Sequence, residues 1–456
     1  MQADDLFTET ARWQSWLDVE AELALAQAEV GMIPDWAARQ IAEAARIEAL
    51  DLDRLRQEIA TTMAPVMALT RVLGEAAGEA GSYVHWGATT QNVIDTGRLL
   101  VLRRFHAGLR EGVAGALQSL SALAEEHAET VMVGRTNRQH ALPITFGFKV
   151  AGWVEDLIRI ADQLEELEDR LFQLRFGGAI GAYQSFGGKG PELAHTLARR
   201  LELGMALVPN RTGTAPLVEY LTCLARLGMA VGRIADELYL LMQQEIGEVR
   251  EDLGLGVVGS STMPHKTNPK LVVGVRARAN LLRGQGAAAL SVPPSTHEGD
   301  AAVNRELTLL IEETCPAAAR TVADLCNLLA RTVPDAEQMR ANVMLNYEFM
   351  ATESLMMHLA PSLGRARAHD LMHELADRAR DSGTPLRQLL EEDPRIAEHL
   401  SPDDIAGLLD PERNVGESPA IAREAAAAGR RRAAALLRNQ MIETDAARSS
   451  RASRSS

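Results

Sequence analysis

Five stretches of this chain, 98–128, 143–174, 213–250, 268–288 and 302–333, read as long helices rich in alanine and leucine. In the third, Leu217, Leu221, Leu224, Ile234, Leu238 and Leu241 keep an apolar stripe at three- and four-residue steps, broken once in the middle. A helix of about 35 residues is roughly 50 Å long, more than one compact domain needs. Such elements belong to an extended bundle. A stripe wider than a single seam calls for partners on several sides, so oligomerisation through the bundle is expected. A further helix is expected over 9–30, where Trp13, Leu17, Leu23 and Val30 sit at helical spacings and Gly31 follows as a stop.

Composition agrees with an all-α chain. Of 456 residues 46% are hydrophobic and 24% charged, which excludes wholesale disorder and fibrous folds, and only 4% are aromatic. The length allows several domains. Residues 1–97 form an N-terminal helical domain in this reading and 98–349 the central bundle. After about 350 the helices shorten among Pro361, Gly383, Pro385, Pro394, Pro402 and Pro411, giving a small C-terminal domain over 350–443. The arginine- and serine-rich end, 444–456, reads as disordered. The formal charge of −15 opposes binding to nucleic acid or an anionic membrane. Cys223, Cys315 and Cys326 have no metal or disulfide spacing and read as packing thiols. With no signal-peptide pattern and no membrane-length apolar run, a reducing cytoplasm is the expected setting.

Three polar segments interrupt the helical pattern: His85-Trp-Gly-Ala-Thr-Thr-Gln-Asn92, Gly134-Arg-Thr-Asn-Arg-Gln-His140, and the stretch 256–269 with Gly259-Ser-Ser-Thr-Met-Pro-His-Lys-Thr-Asn268. Each carries small residues that allow close backbone approach and donors suited to carboxylates. In the third, Gly256, Gly259, Ser260 and Ser261 make a mobile start, while Pro264 and Pro269 stiffen the chain around Lys266 and Asn268. A serine held among donors and sealed from water can act as an alkoxide base. Gly, Ser and Ser alone would be no more than a surface turn. Nothing spaces His, Cys or carboxylates as a metal site, and no glycine-rich strand-to-helix turn calls for a nucleotide cofactor.

The string Gly259 to Asn268 resembles the signature loop of the fumarase/aspartase superfamily, GSSxMPxKxN, at every specified position. The other two segments resemble that superfamily's remaining motifs in the expected order, and Gln243-Gln-Glu-Ile-Gly-Glu-Val249 extends the likeness. It is closest to the branch with adenylosuccinate lyase, 3-carboxy-cis,cis-muconate cycloisomerase and the nitrosuccinate lyases. The resemblance implies a three-domain α-helical fold, a homotetramer around a central long-helix bundle, and active sites each built by three subunits. It implies β-elimination from a succinyl compound with no cofactor. Ser260 matches the base. Lys266 and Asn268 match residues that hold a carboxylate and stabilise the aci-carboxylate intermediate. Thr89, Thr90, Gln91 and Thr136 match substrate-carboxylate positions, and Ser261 and Met263 lie in the same loop. His85 matches a histidine that touches substrate or holds the Thr89/Thr90 loop.

The departures narrow the chemistry. Asn137 stands where fumarases and adenylosuccinate lyases carry a histidine, and Val273 where they place its acidic partner, so the proton-donating relay is missing. Nitrite leaves without full protonation, which points to nitrosuccinate giving fumarate; the cycloisomerases also lack the histidine and are the alternative. Adenylosuccinate lyase fits less well. Gly299 replaces an arginine of its phosphate site and Ala301 and Ala302 its serines, leaving Arg305. On the helix after the signature, Arg276 and Arg283 are seven apart and share a face, so Arg283 is the candidate to stabilise the leaving group. Arg135, Arg138 and Arg159 are further carboxylate-binding candidates. A non-catalytic structural tetramer is the reading from another class, opposed by the joint retention of Ser260, Lys266 and Asn268.

Overall fold

The computed structural model describes residues 3–254 and 256–452, with side chains as far as residue 438. Helices α1 (Glu9–Glu29), α2 (Asp35–Ala44), α3 (Leu52–Thr62) and α4 (Pro65–Ala76) lead into the long elements α5 (Thr90–Glu126), α6 (Phe146–Leu171), α8 (Ala215–Leu241), α9 (Leu271–Ala288) and α10 (Ala301–Ala330), with α7 (Gly190–Leu201) between them. The shorter α11 (Ala336–Met344), α12 (Tyr347–Met350), α13 (Thr352–Leu363), α14 (Arg365–Ser382), α15 (Leu386–Glu392), α16 (Pro394–Ala397) and α17 (Pro402–Leu409) precede α18 (Ser418–Ala452). Local chemistry sets several ends. Thr8 Oγ1 accepts from the Ala11 N–H at 3.2 Å at the start of α1, Ser401 and Asp404 make a reciprocal capping box on α17, and Gly383 closes α14 at φ 69°. The α8 stripe is core: Leu221, Leu224, Ile234 and Leu238 are fully buried.

Three strand pairs modify the all-α expectation, leaving the fold predominantly helical. β1 (Val131–Thr136) pairs antiparallel with β2 (Gln139–Thr145), β3 (Gln173–Leu174) pairs parallel with β4 (Gly204–Met205), and β5 (Val249–Glu251) pairs antiparallel with β6 (Thr332–Pro334). Residues 143–145, 173–174, 249–250 and 332–333, expected at helix ends, are therefore strand. The polar segment His85–Asn92 is not loop throughout, because α5 begins at Thr90. The terminal segment expected to be disordered from 444 is carried as helix to Ala452 in α18, and its last four residues lie outside those described.

The chain divides into two compact units. The first takes residues 1–112, 160–229 and 278–323, the second 113–159, 230–277 and 324–456. The first unit packs α1, α2, α4 and α7 around fully buried Leu17, Ile41, Leu69 and Leu197. The second has a core of Leu355, Leu375, Leu390 and Ile396 under α13 to α16. Each such leucine contributes about 1.5–3 kcal/mol by leaving water. Cys223 and Cys315 are buried and Cys326 half-buried, and none is in a disulfide. Burial pushes the Cys223 thiol up to about 12. Among the described residues no helix is long and apolar enough to cross a membrane.

Candidate active site

In the first unit the segment before α5 is fastened to α1. His85, at φ 60°, places Nδ1 2.6 Å from the Glu20 carboxylate, which is only 1% exposed, and Gln27 Nε2 donates to the Trp86 carbonyl at 2.6 Å. Burial lowers the His85 pKa, but the hydrogen bond and charge of Glu20 outweigh it and the net shift is upward. Gly87 is obligatory in space, since a Cβ there would lie 2.7 Å from the Phe186 ring. His85 thus has a holding contact. Behind it Thr89 precedes, and Thr90 opens, the 37-residue helix α5, whose amino end favours anions. Gln91 Nε2 donates to Asp95 Oδ1 at 2.7 Å, so this side chain steadies the first turns of α5. Buried Asn92 accepts from the Gly178 N–H at 3.1 Å and donates to the Arg175 carbonyl at 3.4 Å.

In the second unit the Gly134–His140 segment is the tip of the β1–β2 hairpin. Asn137 and Arg138, at φ 49° and 65°, form its two-residue turn, a left-handed pair that asparagine suits. The register slips between Gly134 and Arg135, and a Cβ on Gly134 would meet the Leu142 carbonyl at 2.8 Å. Thr136, Asn137 and Arg138 are exposed. Arg135 is not available to substrate. Its two terminal nitrogens donate to both oxygens of fully buried Glu248 at 2.9 and 2.7 Å, and Asn342 Nδ2 donates to the same carboxylate at 2.8 Å. The His140 pKa is lowered by burial and by Arg135.

The signature loop lies between β5 and α9. Ser260 is half-buried, and its Oγ accepts from the Met263 N–H at 3.1 Å and from the Thr262 N–H at 3.4 Å. Donors on that oxygen favour its anionic form. Gly259 is required because the loop folds back so closely that a Cβ there would collide with the Lys266 carbonyl. The Lys266 N–H bonds the Met263 carbonyl at 3.0 Å, a turn that presents the exposed Lys266 side chain; Ser261 and Met263 are also exposed and Asn268 is half-buried. Sequence reasoning missed the residue that closes the loop. The Glu251 carboxylate accepts from the N–H groups of Lys270 (2.7 Å), Leu271 (3.2 Å) and Val272 (2.7 Å), capping α9 from the far side of the loop.

The arginines divide. Arg276 pairs with Asp236 and lies over the Tyr239 ring, 5.8 Å from its centroid, and it shares α9 with Arg283. Arg283 is exposed, donates to Asn280 Oδ1 at 3.3 Å and packs its stem across Gly228. Arg159 makes an exposed i,i+4 pair with Glu155 at 2.5 Å. The candidates therefore fall into two sets: His85, Thr89, Thr90, Gln91 and Arg283 in the first unit, and Thr136, Asn137, Arg159, Ser260, Ser261, Met263, Lys266 and Asn268 in the second. Among the described residues no hydrogen bond joins the hairpin tip to the signature loop, and no cluster of three His, Cys, Asp or Glu could hold a metal ion.

Residues 2–279 match the family described as lyase, and residues 348–425 the family described as adenylosuccinate lyase C-terminus. The chain is 36% identical over 419 residues to the 3-carboxy-cis,cis-muconate cycloisomerase of Pseudomonas aeruginosa, covering 91% of each chain. It is 33% identical over 415 residues to the N-acetyl-S-(2-succino)cysteine lyase of Dickeya dadantii, again 91% of each. A solved fumarate lyase from Mesorhizobium sp. BNC1 superposes with a TM-score of 0.86 at 30% identity, over 93% of this chain and 97% of that one. Because both the likeness in sequence and the likeness in fold run along nine-tenths of its length, the chain belongs to the fumarase/aspartase superfamily, in the branch of adenylosuccinate lyase and 3-carboxy-cis,cis-muconate cycloisomerase, and is a lyase.

Proposed function

We propose that the chain catalyses base-initiated β-elimination, or its reverse, at a carbon beside a carboxylate, on a substrate of the 3-carboxy-cis,cis-muconate class. The observation that carries this is the Ser260 loop, where two backbone N–H groups already bond the oxygen that must bear negative charge. Ser260 takes the α-proton, Lys266 and Asn268 hold the adjoining carboxylate as charge builds on it, and the leaving group departs from the β-carbon. In the reverse direction a carboxylate of the same substrate adds to the double bond and Ser260 returns the proton, which closes a lactone. Thr89, Thr90, Gln91 and Thr136 bind the remaining carboxylate oxygens. The working unit is a homotetramer with each site shared by three subunits, and the 1–97, 98–349 and 350–443 divisions are its domains.

Asn137 and Val273 leave no histidine relay to protonate a departing group. A carboxylate, whose conjugate acid titrates near about 4, needs none. The 36% identity to a cycloisomerase supports that leaving group. Nitrite from nitrosuccinate satisfies the same condition and is the second reading, favoured by the exposed Arg283 guanidinium as a group to meet its charge. Incubation with 3-carboxy-cis,cis-muconate, following its ultraviolet absorbance, and with nitrosuccinate, assaying nitrite, separates the two. Turnover of the first is expected, falling on the order of 10³-fold in Ser260→Ala. Turnover of neither substrate above background rejects the assignment, and undiminished turnover in Ser260→Ala rejects the base.

A further inference from the structure

Three guanidinium groups in the first unit line one small cavity together with a single carboxylate, which only Arg98 of the three contacts. A small cavity of about 40 Å³ beneath the amino end of α5 is lined by Asp95, Arg98, Arg175, Arg211 and Asn304 among others, and Asp95 is the one acidic residue in that lining. Three positive charges face one negative charge. Burial raises the Asp95 pKa, and Arg98, Gln91, Arg211 and Arg175, which act to lower it, do not cancel the rise.

The donors outnumber the acceptors. Each guanidinium carries five N–H groups. Arg98 gives one to Thr308 Oγ1 at 2.9 Å and one to Asp95 at 3.3 Å. Arg211 gives one, Nε to the Glu298 carbonyl, at 3.4 Å. Arg175 is half-buried, and among the described residues its guanidinium donates to no acceptor; its electrostatic partner is Asp95. None of these guanidinium nitrogens is both buried and without a partner, so the spare donors are open to a ligand or to water.

Room for the guanidinium groups is built into the backbone. A Cβ at Gly213 would collide with the end of Arg175, and one at Gly299 would lie 2.5 Å from Arg211 Nη2. Gly299 is the position read from sequence as a lost arginine of a phosphate site. The charge is not lost there, because Arg211 from the segment between β4 and α8 lies across that glycine.

We propose that Arg98, Arg175 and Arg211 form a subsite for one further carboxylate of the substrate, alongside the carboxylates bound at Thr89 and Thr90. Gln91 and Asp95 are one helical turn apart, about 6 Å along α5, and joined by a hydrogen bond, so the subsite adjoins the motif. Arg98 and Asn304 also line a larger cleft of about 560 Å³ that includes Gln91, so the two spaces adjoin and Arg98 faces both. The small cavity is large enough for a water-sized group, which suits the planar end of a carboxylate meeting a guanidinium fork. This rests on the polycarboxylate reading above and names the residues that would select a tricarboxylate over a dicarboxylate.

Two non-reacting probes test it on the full chain. Tricarballylate is succinate with one added carboxymethyl group, so calorimetric titration of both reads the extra carboxylate directly. The wild type is expected to bind tricarballylate more tightly by about 30-fold, the scale of one charge-assisted bidentate contact. Arg175→Gln and Arg211→Gln are expected to remove most of that preference with succinate affinity unchanged, and Arg211→Lys to keep part of it. A preference absent from the wild type, or kept in both Gln variants, overturns the subsite. Unaltered succinate binding shows that a variant is folded, and because no turnover is measured, failure of the Ser260 assignment leaves this result readable.

Discussion

His85 has the geometry of a clamp in an ion pair with Glu20, and its charge sets when the clamp holds. Its folded pKa is raised above the ordinary 6.5, the side chain is 23% exposed, and Glu20 is 1% exposed. A raised folded value means the pair's contribution is complete below about 6.5 and is lost as pH rises through the higher folded value. His85→Asn tests this without backbone strain, because asparagine tolerates the left-handed φ of 60°. The variant is expected to lose about 2 kcal/mol against the wild type in urea unfolding at pH 5.5, and less than half of that at pH 9. Equal losses at the two pH values would refute the charged pair. Residues of this kind were only half legible. His85 stands out in its motif, but Glu20 is one of many helix glutamates 65 positions away. Asn137 was read as a chemical loss, and the hairpin shows a second reason for asparagine in its left-handed φ of 49°. Arg135 looked free for substrate because Glu248, its partner, is 113 residues distant.

Elements were more legible than residues where periodicity alone decides them. The α8 stripe located that helix to within a few residues at its start, and the expected continuation to 250 fails because the chain turns after Leu241, with Gly247 at φ 64°, to enter β5. Two of the strand pairs were not legible because β3 to β6 are only two or three residues long and take their partners from distant segments, as β5 does from β6; the β1–β2 hairpin was hidden in a stretch read as a polar segment and a helix start. The Glu251 cap on α9 escaped for the same reason: a cap is sought beside the helix, and this one comes from 20 residues upstream of Leu271. Its consequence belongs to the loop. Closing a long loop carries an entropic cost that three bonds to a carboxylate help offset at its neck, holding Ser260 and Lys266 in one register. Glu251→Ala is expected to lower kcat by roughly 10- to 100-fold with KM moved less, and to expose 252–270 to limited proteolysis. Glu251→Gln, which keeps an acceptor, is expected to recover part of both. A kcat within about twofold of wild type and an uncut loop would show that the cap does not position the base.

For the whole molecule, the allocation of candidates matters more than any one contact. Thr89, Thr90 and Gln91 belong to one compact unit and Ser260, Lys266 and Asn268 to the other. Long helices that the sequence marked for oligomerisation carry apolar side chains in water in the single chain, with Met229 58%, Leu281 68% and Leu309 44% exposed. Faces of this kind on α8, α9 and α10 are what a subunit interface would cover. The net charge of −15 is then no obstacle to an anionic substrate, because cations from several chains can be gathered at one place. Sharing makes a test that no single-chain site could pass. Ser260→Ala and Thr90→Ala variants, each inactive alone, are mixed, dissociated and reassembled. If a site takes Ser260 from one subunit and Thr90 from another, random assortment leaves about a quarter of sites with both intact residues, and activity returns to about a quarter of the wild-type level. Hybrids are separated by a charge tag on one variant, so that exchange of subunits is verified before activity is read. Verified hybrids with no recovered turnover would mean that both residues come from the same chain, and the shared-site reading would be withdrawn.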